Sequence, residues 1–198
     1  MGSPAADAEA PADPARPDTR QRLIDVAVEL FIRHSFAGTS LQMIADELGF
    51  TKAAIYHHFR TREQLLDAVV GPILDRLETA IVEAEQLRGA HARADYLLTG
   101  FAELAVQNRV VAVLAADPAV AKMLRASRKW DALIERQMAL LADVDPGPAG
   151  MVKATVVLAG VAGASGPMAA ALDRDELLGY LIDTGRRALG LRIPRAKH

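Results

Sequence analysis

The sequence predicts an all-α fold of about nine helices, on three observations. Apolar residues recur at helical spacing from Thr19 to Leu191. Period-two runs of β-branched residues bounded by turn dipeptides are nearly absent. Caps and breakers punctuate the helical pattern at intervals that suit helix lengths.

The first helix is predicted near residues 19–34. Leu23, Ala27, Leu30 and Phe31 form one stripe, Ile24 and Val28 widen it, and Arg20, Arg22, Glu29 and Arg33 face water. Thr39-x-x-Gln42 reads as a capping box, in which hydroxyl and amide each satisfy an orphan backbone donor. It opens a short second helix with an apolar face of Leu41, Ile44, Ala45 and Leu48. Gly49 ends that helix because it tolerates the left-handed conformation. Thr51 caps a third helix running to Phe59, and Thr61-x-x-Gln64 caps a fourth. Gly71-Pro72 predicts a kink or restart within the fourth, since an internal proline loses a hydrogen bond and clashes with the preceding turn. Beyond Gly89, helices are predicted near 92–107, 108–115 and 118–142. The run Asp145-Pro146-Gly147-Pro148 then breaks the chain. The last two helices fall at 150–171 and 174–190. Asp173 caps the final one, Glu176 closes its box, Arg186 and Arg187 sit at its negative end, and Gly190 and Pro194 finish it.

With 198 residues, half of them hydrophobic, the chain suits one compact domain or a small domain fused to a larger one. It has no cysteine, which removes disulfides, thiolate metal sites and cysteine nucleophiles. A net charge of -2 gives no global attraction to nucleic acid, so any such affinity is local. Residues 1–18 hold six alanines, four prolines and four acids, with no apolar core of a secretory signal; they read as a disordered tail. Residues 154–172 carry no charge, yet they are rich in Ala, Gly and Val and contain Gly166-Pro167. We read them as a helix buried in protein rather than a membrane span, and expect a cytoplasmic protein with no membrane partner.

Two short helices joined by a tight glycine turn form the arrangement that places the second helix in a DNA major groove. Ala45 is small where the helices cross, Gly49 sits in the turn, and Ile55, ten residues after Ala45, anchors the second helix. Residues 51–62 contain Lys52, Arg60 and Arg62, with His57 and His58, and no acid. On a helix opening at Thr51, Ile55 and Phe59 point inward. Lys52, Ala53, Tyr56 and His57 lie outward and toward the N-terminal end, where free N–H groups favour a phosphate. Thr51 suits both a cap and a phosphate contact, and Tyr56 a phosphate or thymine-methyl contact. Adjacent histidines diverge by about 100° on a helix, so His57 and His58 do not share one metal face. No metal or cofactor is expected.

The stretch Thr19–Val70 resembles the DNA-binding domain of the TetR (tetracycline-repressor) family. The residues that carry the likeness are Leu30-Phe31, Gly38-Thr39-Ser40, Ile44-Ala45, Gly49, Thr51-Lys52 and Ile55-Tyr56-His57-His58-Phe59, followed by Arg60. The resemblance implies a helix-turn-helix domain at 19–66 and a ligand-binding and dimerisation domain at 67–198. It implies that Thr39, Thr51, Lys52, Tyr56 and His57 grip the DNA backbone, while Gln42, Ala53 and Ala54 lie against bases. Many members carry Gly-Thr where this chain has Ala53-Ala54, which leaves apolar contacts at the groove. The implied function is a homodimeric regulator, most simply a repressor released from a palindromic operator by a small, mostly apolar effector.

Within the second domain, Ala159, Gly160, Gly163 and Ala164 permit close helix approach. Leu177, Leu178, Leu181 and Ile182 make an apolar stripe on the last helix. Left unpartnered, that surface would be a large exposed patch, so a dimer interface is expected there. Candidate effector contacts are Phe101, Leu104, Met123, Trp130, Leu133, Ile134 and Met138, with Tyr96 and Gln107 as polar groups; ordinary core packing is the alternative for each. An all-helical enzyme is the main rival, but no metal-ligand pair, phosphate-binding loop or spaced nucleophile and base is recognisable, and Ser127 and Ser165 lie near no evident base. A DNA-binding protein without any effector is the other rival.

Overall fold

The computed structural model describes residues 19–166 and 171–191. The expected tail at 1–18, the junction at Pro167 and the stop at Pro194 lie outside them. The described residues form ten α-helices and no strand: α1 Thr19–Gly38, α2 Leu41–Leu48, α3 Lys52–His58, α4 Arg62–Gln86, α5 Ala90–Gln107, α6 Val110–Ala116, α7 Pro118–Arg125, α8 Arg128–Ala142, α9 Pro148–Ala164 and α10 Arg174–Leu189.

The all-α expectation holds, with one more helix than predicted. The segment expected as a single helix at 118–142 divides at Ser127, whose hydroxyl accepts from the Trp130 N–H at 3.4 Å and caps α8. A serine is a good N-cap because its oxygen satisfies an otherwise orphan donor. Conversely, no restart occurs at Gly71-Pro72: α4 runs through as one helix. Pro72 has no N–H to offer the Ala68 carbonyl. Both residues line an open cleft of about 630 Å³, so that carbonyl is not sealed in the core.

One core joins the described helices. Leu23, Phe31, Ile44, Ile55 and Leu65 are fully covered at the N-terminal end, as are Ile81, Leu97, Leu98, Leu141 and Leu189 in the remainder. α4 belongs to both ends, contributing Leu65 and Leu66 to the first and Leu77, Ile81 and Ala84 to the second. α5 packs along α4 and is crossed by α10, where Gly185 lets the Leu98 side chain lie against the backbone. Charged pairs fasten the periphery: Arg136 grips Glu85 with two nitrogens, at 2.9 and 2.7 Å, and Arg186 grips Asp95 at 2.6 and 3.0 Å.

Candidate nucleic-acid interface

α2 and α3 pack against each other through the expected turn. Gly49 is left-handed (φ 67°), and the Phe50 N–H returns to the Ala45 carbonyl at 2.8 Å. Ala45, at the crossing, is fully buried. The Thr51 hydroxyl caps α3 by accepting from the Ala54 N–H at 3.3 Å. Ile55 and Phe59 point into the core, and Thr51, Lys52, Ala53, Tyr56, His57 and Arg60 are exposed. The Lys52 ammonium lies 5.7 Å from the Tyr56 ring centre, so charge and aromatic surface occupy one outward face. Ala54 is half-buried, on the flank of that face. Gln42 is exposed on α2, with its amide nitrogen donating to Asp46 at 2.6 Å.

Two residues take roles other than those expected. Thr39 does not cap α2; Ser40 does, accepting from the Met43 N–H at 3.2 Å. Thr39 is 1% exposed, and its hydroxyl donates to the Ser35 carbonyl at 2.8 Å, with the Leu30 carbonyl at 3.2 Å. A buried, committed hydroxyl is not available to a phosphate. Arg62 likewise serves the fold: Nη1 reaches the carbonyls of Phe36, Ala37 and Thr39 at 3.2, 3.1 and 2.9 Å. The Thr61 box forms with a shift, since Gln64 returns its side-chain oxygen to the N–H of Arg60.

Sequence reasoning missed two cations beside α3. Arg22 lies 5.3 Å from the ring centre of Phe50, just before α3, and Arg20 lies 5.1 Å from that of Phe59, just after it. It missed, too, that Ser35 carries a positive φ (63°, ψ 169°) within the chain assigned to α1. A side-chain-bearing residue held there costs on the order of 1–3 kcal/mol, which surrounding contacts must offset.

Residues 23–69 match the family model described as "Bacterial regulatory proteins, tetR family". The chain is 32% identical over 89 residues to the HTH-type transcriptional repressor KstR2 of Mycolicibacterium smegmatis; the match covers 40% of this chain and 43% of that repressor. The chain thus spans less than half the length of that relative. Among solved structures, a bacterial regulatory protein in the tetR family from Rhodococcus RHA1 superposes with a TM-score of 0.64 at 18% identity, over 90% of this chain and 100% of that one. A TetR/AcrR-family transcriptional regulator from Thermobifida fusca gives 0.51 at 26% identity, over 89% and 100%.

Residues 23–69 thus carry the DNA-binding domain of the tetR family. That domain holds the helix-turn-helix just described, and the remaining helices place the other candidate residues as follows.

The predicted effector contacts do not converge on one chamber. An apolar cavity of about 220 Å³ lies between α4, α6, α7 and α8, lined by Val70, Ile73, Leu74, Val111, Leu114, Ala121, Leu124, Arg125 and Trp130. Trp130 alone of the predicted set lines it. Leu133 is buried in the core; Phe101, Met123 and Met138 pack half-buried against it; Ile134 is half-buried. Leu104 and Tyr96 line a different, open cleft between α4 and α5. The Tyr96 hydroxyl donates to Glu83 at 2.6 Å, a bond that raises the phenol's pKa and holds the ring on the surface. Gln107 is exposed and accepts from Arg76 at 2.6 Å. Gln137 of α8 is a buried polar side chain, 1% exposed, whose amide nitrogen has no partner among the described residues. It lies two turns beyond Trp130 on the same face of α8.

The expected interface helices leave an apolar face uncovered. Ala159, Gly160 and Gly163 are exposed, continuing a stripe of Met151, Val152 and Val156, with Tyr180 exposed on α10. Leu178 and Ile182 are half-buried. Leu181 departs from the expectation: it is buried in the core of its own chain, as is Leu177. Among the described residues no helix is long and apolar enough to cross a membrane, and no cluster of three metal-binding side chains occurs.

Proposed function

We propose that this protein is a homodimeric, ligand-responsive repressor that reads a palindromic operator with α3 and leaves it when a small, mostly apolar effector binds. The observation that carries the reading is the outward face of α3. Lys52, Ala53, Tyr56 and His57 stand exposed on a helix that Ile55, with Phe59 just past its end, anchors in the core. The adjoining positive charge comes from Arg60 and from Arg20 and Arg22 beside the flanking rings. A headpiece of residues 19–66 and a body from 67 onward share α4, so a displacement of the body end of α4 is carried to the headpiece.

Pairing through the exposed face of α9 and α10 supplies the second reading helix. Two such helices enter successive major grooves when they stand about 34–36 Å apart. The cavity between α4, α6, α7 and α8 is the candidate effector chamber, and its apolar lining suits an apolar body. An effector shifts the protein off DNA to the extent that it binds the non-reading spacing more tightly.

The test is selection of bound sequences from a random duplex pool, repeated with Tyr56→Ala and Lys52→Ala. A recovered palindrome that both variants bind less well supports the proposal. No enrichment, with the variants behaving like wild type, removes α3 as the reading helix. Filling the cavity with Ala121→Phe then separates a sensor from an effector-independent DNA binder: a sensor loses its response to effector, and a non-sensor has none to lose.

A further inference from the structure

Ser35 needs help to hold its conformation, and most of that help comes from the headpiece itself. The Gly38 N–H reaches the Ser35 hydroxyl at 3.3 Å, Thr39 donates to the Ser35 carbonyl, and Arg62 collects three carbonyls of the 36–39 stretch. One hold comes from elsewhere. The Ala37 N–H donates to Asp117 Oδ2 at 3.2 Å, from a residue eighty positions away. Ala37 is thus gripped at both ends of its residue, its N–H by Asp117 and its carbonyl by Arg62.

Asp117 is itself tightly placed. It is 6% exposed; its Oδ1 accepts from the Ala119 N–H at 2.9 Å and caps α7, while its own N–H returns to Leu114 and closes α6. The same two helices supply Val111, Leu114, Ala121 and Leu124 to the apolar cavity, whose opposite wall is α4. α4 begins at Arg62. Both walls of the cavity are therefore tied to Ala37, four positions before α2 starts.

We propose that Asp117 is a positioning residue for DNA binding: its carboxylate fixes the strained 35–39 connection to the α6–α7 junction, so that the placement of those helices sets the placement of α2 and α3. This rests on the DNA-reading proposal above. A molecule that parts α6 and α7 from α4 must either drag Ala37 or break the bond to it. A hydrogen bond weakens steeply with misalignment, so the connection has two states, held and released. Released, Ser35 relaxes toward ordinary backbone and the start of α2 moves with it.

Two substitutions separate this role from helix capping. Asp117→Ser keeps a hydroxyl that caps α7 but is too short to reach Ala37 as well. Ser35→Gly removes the conformational cost that Asp117 helps to offset, because glycine adopts positive φ freely. Hydrogen exchange of the segment containing residues 35–39 is measured first, then affinity for the duplex selected by wild type. Asp117→Ser is expected to speed exchange in that segment while α8–α10 keep their rates, and to weaken duplex binding roughly ten-fold. Adding Ser35→Gly should restore most of that loss while changing wild type little.

Wild-type exchange and affinity in Asp117→Ser would overturn the proposal, as would an identical effect of Ser35→Gly in both backgrounds. If Asp117→Ser does not fold, Asp117→Asn, which keeps the length and loses one acceptor, carries the same comparison. If wild type selects no duplex, the DNA-reading proposal falls, and the exchange rates still decide whether Asp117 holds the connection.

Discussion

Arg62 and Thr39 are joined through the main chain: a guanidinium nitrogen of the first residue of α4 donates to the Thr39 carbonyl at 2.9 Å. The same nitrogen serves Phe36 and Ala37, and the guanidinium carbon lies 5.0 Å from the centre of the Phe36 ring. We predict that Arg62→Lys, which keeps the charge, does not substitute. An ammonium lacks the planar fork and stacks less well on an aromatic face. Losing charge-assisted bonds to these carbonyls, two of them part-buried, should cost about 1–3 kcal/mol, read as a lower midpoint in denaturant.

Lys52 makes no ion pair among the described residues and sits beside the Tyr56 ring on the exposed face of α3. A phosphate-contacting lysine contributes affinity without sequence preference. Lys52→Ala should therefore weaken binding to matched and mismatched duplexes alike, and lower the slope of log affinity against log salt by about one per reading helix. An unchanged slope would place Lys52 away from the phosphates.

Gly150 and Gly160 share α9 but not an environment. A Cβ on Gly150 would meet the Asp145 carbonyl oxygen at 2.0 Å and that of Ala142 at 2.7 Å, whereas one on Gly160 would meet nothing within 4 Å. Backbone cannot step aside as a side chain does. Gly150→Ala should destabilise by about 1–3 kcal/mol. Gly160→Ala should leave the folding of the single chain unharmed or improve it, since alanine is the better helix former. Gly160→Ala should still weaken dimerisation, measured by sedimentation, if α9 meets its mate there.

Arg136 holds the Glu85 carboxyl below its ordinary range, chiefly by hydrogen bonding. A carboxyl with a depressed folded pKa stabilises the fold at pH above the ordinary carboxylate range. That contribution disappears as pH falls through the folded value. Both side chains are about one-third exposed, so the effect is small, under about 1 kcal/mol, and weakens with salt. Glu85→Gln should lower stability slightly at neutral pH and match wild type at low pH, which flattens part of the acid limb of the stability profile.

What the sequence made legible was whatever is decided within a few residues. Thr51, Thr61 and Asp173 cap their helices, Gly49 turns, and Ile55 and Phe59 face inward, because spacing and chemistry settle those matters locally. Thr39 and Ser40 show where that reach stops: both are competent caps, and burial of Thr39 among the carbonyls of α1 decides for Ser40. Arg62 reads as one more cation of a basic segment until the fold brings the 36–39 carbonyls to it. Asp117, beside a proline, reads as a breaker, and nothing local announces its bond to Ala37. The chamber was misread for a related reason. Periodicity tells which side chains point inward, but the cavity lies where Val70, Leu114 and Leu124 leave space, a property of how α4, α6 and α7 are spaced.

The anchoring of α3 by Ile55 and Phe59 has an evolutionary consequence. Lys52, Ala53, Tyr56 and His57 are exposed, and substitutions at such positions usually change stability by less than about 0.5 kcal/mol. If these side chains read DNA as proposed, descendants of this chain are free to exchange them and acquire new operators without passing through a misfolded intermediate. The chamber has no such latitude, because Ile73 and Leu114 belong to the core as well as to the cavity wall. On the proposed function, new target genes are thus more accessible to this lineage than new signals.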